Sequence, residues 1–211
     1  GFSHTHLSGT GIPDYCDILF MPFTGDVQWE NKDYASPFSH ANEKASPGYY
    51  EVLLDKHNIK AQLSTSYRSG MHQYSFPASA TTGSILVDLV YFYVRFEKPI
   101  KNFLIQGGDA LNRKGMNSVT GKDLKAFFSF DLGTDKMIRA KVGISGVSMQ
   151  GAKGNLDAEI PQWDFNKLRD NANFAWNKEL GKIEVKGGTK DQQTGFYSAL
   201  YHTMLSPNIY T

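Results

Sequence analysis

Two histidines stand two apart in GFSHTHLSGTG, residues 1–11, with His4 and His6 on either side of Thr5. An H-x-H pair supplies two imidazole nitrogens to a zinc ion, but a catalytic zinc takes three protein ligands. None of His40, His57, His72 or His202 stands at a spacing that completes such a set. Contact with a substrate, or hydrogen bonds that hold a loop, are therefore better uses for the pair, and the neighbouring hydroxyls bond readily to backbone. The glycines of the stretch let main chain come close to a ligand. Among the carboxylates, Asp14 and Asp17 flank Tyr15 and Cys16 and read as acceptors for backbone amides. Glu43, in SHANEKASPGYY, has the chemistry of an acid or base, yet with Asn42 it reads more simply as fixing the turn before Pro47-Gly48. Cys16 is the single cysteine, beside the apolar DILFM, and reads as a small buried thiol.

Short β-rich runs must position these residues. Between Asp17 and Ser145 they are DILFM, YYEVLL, IKAQLSTSY, MHQYSF, SILVDL, VYFYVRFE, KNFLIQ, LKAFFSF and MIRAKVGIS. Apolar residues alternate with polar ones, as in Ile59, Ala61 and Leu63, which puts one face of each strand on a core. Connectors of Gly, Asn, Asp, Ser and Pro at hairpin lengths argue for an antiparallel β-sandwich. With 211 residues, 40% of them hydrophobic, the chain can bury a real core. Its 22 Lys+Arg against 21 Asp+Glu advertise no polyanionic partner, so nucleic acid is excluded as a first reading. The apolar runs fall far short of the roughly 20 residues that cross a bilayer, so no transmembrane segment is expected.

After Ser148 the period changes. In WDFNKLRDNANFAWNKEL, Phe165, Leu168, Ala172, Trp176 and Leu180 fall three or four apart, which predicts an amphipathic helix closed by Gly181. Trp163 and Trp176 fit packing stripes. KIEVKG reads as a short strand. Thr189 and Gln192 have the spacing of a capping box that opens a second helix, with Pro207 marking its end. The stripe Phe196, Tyr197, Leu200, Tyr201 and Met204 is wide and aromatic, and predicts that the chain continues into further helices that cover it.

Six blocks carry a resemblance: GFSHTHLSGTG, DYCDILFMP, PFSHANEKASPGYYEV, KVGISGVS, NLDAEIPQWDF and FYSALYHTMLSPNIYT. In this order they resemble the amino-terminal part of glycoside hydrolase family 92, the calcium-dependent inverting exo-α-mannosidases. The resemblance implies a mainly β fold, an antiparallel β-sandwich of the galactose-mutarotase-like or supersandwich type, followed by linker helices that begin an (α/α)6 barrel. The sandwich would occupy 1–148, the helical linker 149–188, and the first helix of the catalytic domain 189–211. Three departures stand out. The chain ends where the barrel begins, so the family's general acid, general base and most calcium ligands have no counterpart and the chain alone is expected to be inactive. SILVDL runs straight into VYFYVRFE, so either the two form one long strand or residues are missing between Leu89 and Val90. Cys16 stands where the family usually shows glycine.

The resemblance also implies a site. Inverting hydrolysis needs an acid and a base on opposite faces of the sugar, about 6.5 to 9.5 Å apart, and neither role falls on a residue here. The sandwich would close the pocket, with Phe2, His4, His6 and Ser8 lining the sugar subsites. Trp29, in the loop VQWENKDYASPFSH, would be an exposed platform for the leaving-group sugar, whose C–H groups pack on an aromatic face. The implied cofactor is calcium, and the implied partners are mannose-containing glycans and the protein's own carboxy-terminal (α/α)6 domain. An extracytoplasmic location follows from the same resemblance: periplasmic, cell-surface or secreted. Two other classes of function stay open, a free-standing carbohydrate-binding sandwich and a structural domain that touches no sugar.

Overall fold

The alternation in YYEVLL and its fellows becomes two antiparallel sheets in the computed structural model, which describes residues 1–4, 18–27, 29–88, 92–107 and 124–205. His6, Ser8, Asp14, Cys16, Asp17, the junction of Leu89 with Val90, and Pro207 lie outside the described residues. In chain order the strands begin with β1 (Phe2–His4), β2 (Ile18–Phe23), β3 (Glu43–Ser46), β4 (Tyr49–Leu54), β5 (Ile59–Thr65) and β6 (Ser69–Ser75). They continue with β7 (Thr82–Asp88), β8 (Phe92–Phe96), β9 (Asn102–Gln106), β10 (Lys125–Asp131) and β11 (Met137–Ile144). The short helix α1 (Asn31–Tyr34) lies between β2 and β3, and α2 (Met149–Glu159), α3 (Phe165–Leu180) and α4 (Lys190–Thr203) follow the last strand.

One sheet runs β1-β2-β7-β10-β9 and the other β3-β4-β5-β6-β11-β8. β7 and β8 therefore belong to different sheets, so SILVDL and VYFYVRFE are not one long strand. Phe20, Ile85, Val87 and Phe130 from the first sheet meet Tyr74, Ile138, Ala140 and Val142 from the second, all of them fully buried in one core. The second sheet is covered on its other face too. There Met71 joins Leu156 and Ile160 of the α2 region and Phe165 and Leu168 of α3 in a separate cluster, which gives three layers: sheet, sheet and helices.

Two glycines set how closely the helices approach. Gly143 in β11 leaves room for the backbone of α2, since a β-carbon there would lie 2.2 Å from the Ala152 carbonyl oxygen. Gly48, second residue of the two-residue Pro47-Gly48 turn between β3 and β4, has φ +80 as a type II turn requires. It also abuts α3, where a β-carbon would lie 2.7 Å from that of Ala172.

The capping box forms, with Thr189 Oγ1 accepting from the Gln192 amide and Gln192 Oε1 from the Thr189 amide. Gly181 caps α3 at φ −72, a conformation open to any residue. KIEVKG is not a strand. Residues 182–187 run irregularly from α3 to α4 and pair with no strand among the described residues. Among the described residues no helix is long and apolar enough to cross a membrane.

Candidate functional site

Strand register brings two of the described sequence candidates, His4 and Trp29, to one end of the first sheet. His4 pairs with Ile18, the next residue Leu19 with Asp88, and Asp88 with Lys125. Lys125 Nζ donates to the Trp29 carbonyl oxygen at 2.7 Å and lies 5.7 Å from the centre of the Tyr34 ring. The backbone of His4 and the Trp29 loop thus share this end, three strands apart. Phe2 and Trp29 nevertheless face opposite ways. Phe2 is in register with Phe20, whose ring is 4.8 Å from His72 of the other sheet, and its own ring lies 6.2 Å from Tyr74 and 6.4 Å from Tyr50. It points between the sheets.

Trp29 packs on Phe127 at 6.5 Å. Phe127 alternates with Phe128 and Phe130, which both meet Phe96 of the second sheet at 5.0 Å, so Trp29 covers the outer face of the first sheet. The exposed platform expected of its indole is instead half-buried, because Trp29 lies against Phe127 on that face.

Phe2 also lines a cleft of ≈ 300 Å³ with Ser3, Ser36, Phe38, Tyr50 and Leu63. Tyr50 connects it to Glu43. The Tyr50 hydroxyl donates to Glu43 Oε1 at 2.6 Å, and His40 Nδ1 lies 2.6 Å from Glu43 Oε2. The Tyr50 bond first and the His40 bond second hold the Glu43 carboxyl below the usual glutamate range, while burial and Glu43 push the Tyr50 phenol up. Glu43 opens β3 directly after a 3-10 turn, His40–Asn42, that Ser39 caps. Its bonding matches the turn-fixing role read from the sequence. His72 is buried between the sheets with Nδ1 2.6 Å from the Tyr74 hydroxyl. Among the described residues no group of three or more His, Cys, Asp or Glu could hold a metal ion.

At the same end, the second sheet presents a feature that sequence reading missed. Phe20 touches both His72 and Phe92, so the first half of β2 lies over the middle of β6 and the start of β8. Just before β6 comes the turn Ser66-Tyr67-Arg68, and the carboxylate of Glu159, the last residue of α2, grips it. Glu159 Oε2 accepts from the Ser66 hydroxyl at 2.7 Å and the Arg68 amide at 2.8 Å, and Oε1 accepts from Arg68 Nε at 2.7 Å. Burial alone would raise the Glu159 pKa, but the bonds from Ser66 and Arg68 outweigh it and hold the carboxyl low. A second tie follows immediately. Lys141 Nζ, buried on the helix side of β11, donates to the Ile160 carbonyl at 2.9 Å and sits 4.2 Å from the centre of the Trp163 ring; burial lowers its pKa. Between Ser66 and Arg68 the Tyr67 side chain stands 75% exposed.

The architecture is a two-sheet antiparallel sandwich backed by helices, and comparison with known proteins fixes the family. Residues 1–90 match the profile of the Glycosyl hydrolase family 92 N-terminal domain, and residues 151–211 that of the Glycosyl hydrolase family 92 catalytic domain. The chain belongs to glycosyl hydrolase family 92. It is 27% identical to an uncharacterized secreted glycosidase of Arthroderma benhamiae, across 100% of this chain and 36% of that protein. In three dimensions it matches a family GH92 α-mannosidase of Bacteroides thetaiotaomicron with a TM-score of 0.88 and 32% identity, covering 100% of this chain and 34% of the other. A GH92 inverting mannosidase of the same organism matches with a TM-score of 0.83 and 25% identity, over 91% of this chain and 30% of that one. The chain thus spans about a third of the length of these relatives.

Proposed function

We propose that this chain is the sandwich portion of an inverting exo-α-mannosidase that releases terminal mannose, α-1,2-linked, from N-glycans or mannan outside the cytoplasm. The observation that carries the reading is the match of the whole chain, sandwich and helices together, to a family α-mannosidase with a TM-score of 0.88. In the proposal His4, His6 and Ser8 close the sugar pocket from the sandwich side and Trp29 borders the leaving-group subsite, while Phe2, expected to line the pocket, instead supports the amino-terminal strand with its ring turned between the sheets against Tyr50 and Tyr74. The general acid and base belong to the barrel, and the chain alone is inactive.

Calcium belongs to the reading as the ion that would bind sugar hydroxyls through its preference for oxygen ligands. Among the described residues no cluster of His, Cys, Asp or Glu offers it ligands. What the chain's own groups do is orient. Lys125 holds the Trp29 backbone, and Glu43 fixes Tyr50 beside Phe2. Proton NMR during hydrolysis of an α-1,2-mannobioside by the full-length protein that carries this chain tests the proposal, with β-mannose as the first product; α-mannose would refute inversion, and no mannose from the full-length protein would refute the function.

A further inference from the structure

Tyr67 is an exposed aromatic side chain on a turn fixed from both sides. One carboxylate, that of Glu159, ties down the residues on both sides of it through the Ser66 hydroxyl and the Arg68 amide and guanidinium. Two main-chain bonds add to this, from the Ser66 amide to the Ser69 carbonyl at 2.8 Å and from the Ile144 amide to the Arg68 carbonyl at 3.0 Å. The backbone beneath Tyr67 is thus ordered before any ligand arrives, while the ring projects into solvent. A tyrosine brings large rigid contact area at little entropic cost, and prior ordering of its backbone lowers that cost further.

The ring stands at the end of the sandwich that also carries the end of β1 and the Trp29 loop. Ser69 pairs with Gly143, the next residue Ile144 pairs with Phe92, and Phe92 meets Phe20 in β2, two residues from Ile18, the partner of His4. An aromatic face with a hydroxyl at its edge suits a pyranose, whose C–H groups pack on the ring while its hydroxyls bond to the phenol.

We propose that Tyr67 is a saccharide-binding residue, a fixed platform for a sugar ring of the glycan beyond the terminal mannose, with Glu159 as its positioning residue. The inference rests on the reading of the chain as part of a mannosidase. Its test uses the full-length enzyme that carries this chain, with a sulfur-linked, non-hydrolysable α-mannotriose as titrant in calorimetry and α-mannotriose as substrate. Tyr67→Ala is expected to weaken titrant binding about tenfold and raise KM by a similar factor with kcat and Tm unchanged. Tyr67→Phe and Tyr67→Trp are expected to stay within about threefold of the parent. Glu159→Gln, which keeps the shape of the clamp, should give a smaller loss of binding.

Unchanged binding in Tyr67→Ala overturns the inference. So does a fall in Tm with KM unaltered, which would mean that the ring packs against the rest of the protein instead of a sugar. If the parent enzyme cleaves and binds no mannoside but another trisaccharide binds in a Tyr67-dependent way, the mannosidase reading fails while the platform stands.

Discussion

Replacing Glu159 by alanine removes the group that joins the end of α2 to the β5–β6 turn. The lost carboxylate accepts three hydrogen bonds. A hydrogen bond to a charged group contributes about 1.5–3 kcal/mol, and a part-buried donor left without an acceptor, here the Arg68 amide, costs about 1–3 kcal/mol, whereas the Ser66 hydroxyl keeps the Ser69 carbonyl oxygen at 3.0 Å. These figures do not simply add. The Arg68 side chain is 35% exposed, so solvent screens the ion-pair share, and the net loss comes to about 3 kcal/mol. For a chain of this length that lowers Tm by about 6–12 °C.

The sign of the pH dependence follows from the depressed carboxyl. Its stabilisation is fully present above the ordinary glutamate value of 4.5 and is lost as pH falls through the lower folded value. Glu159→Gln should remove this part of the acid sensitivity. Urea unfolding followed by tryptophan fluorescence at pH 7 and pH 4 measures both effects. A loss below about 1 kcal/mol in Glu159→Ala, or an unchanged acid profile in Glu159→Gln, would refute the reasoning.

Gly143→Ala forces a methyl group to within 2.2 Å of the Ala152 carbonyl oxygen and is expected to cost about 3 kcal/mol. Gly154→Ala, at a helical position where a β-carbon meets nothing within 4 Å, should instead stabilise by about 0.5–1 kcal/mol; the same urea titration separates the two. Tyr50→Phe removes the largest influence on Glu43, so the Glu43 carboxyl, followed by carbon NMR, should titrate at higher pH than in the parent. No change would show that the Tyr50–Glu43 bond is not formed in solution.

How much of this the sequence revealed depended on whether the controlling contact was local. YYEVLL reads as a strand and is one over the same residues, because alternation within six positions carries the signal. β1 and β3 escaped notice. FSH is too short to alternate, and EKAS is an exposed edge strand whose side chains bury little. α2 carries two glycines and buries only Ala152 and Leu156, so its helical period is faint. In KIEVKG the alternation of Ile183 and Val185 is present, but a strand also needs a neighbour, and sequence does not show whether one exists. The half-burial of Trp29 depends on Phe127, far along the chain. The fixing of Tyr67 depends on Glu159, 93 residues from Ser66. No local pattern announces either, although Ser-x-Arg before a strand and a lone Glu closing a helix are the residue types such a clamp requires.

The most direct test of the account is mannose release from an α-1,2-linked mannobioside by the full-length protein, with and without a calcium chelator, beside residues 1–211 alone. The account predicts release by the full-length protein, its loss on chelation and recovery with added calcium, and none from residues 1–211. Release by residues 1–211, or failure of the calcium-loaded full-length protein to cleave any α-mannoside, would contradict it.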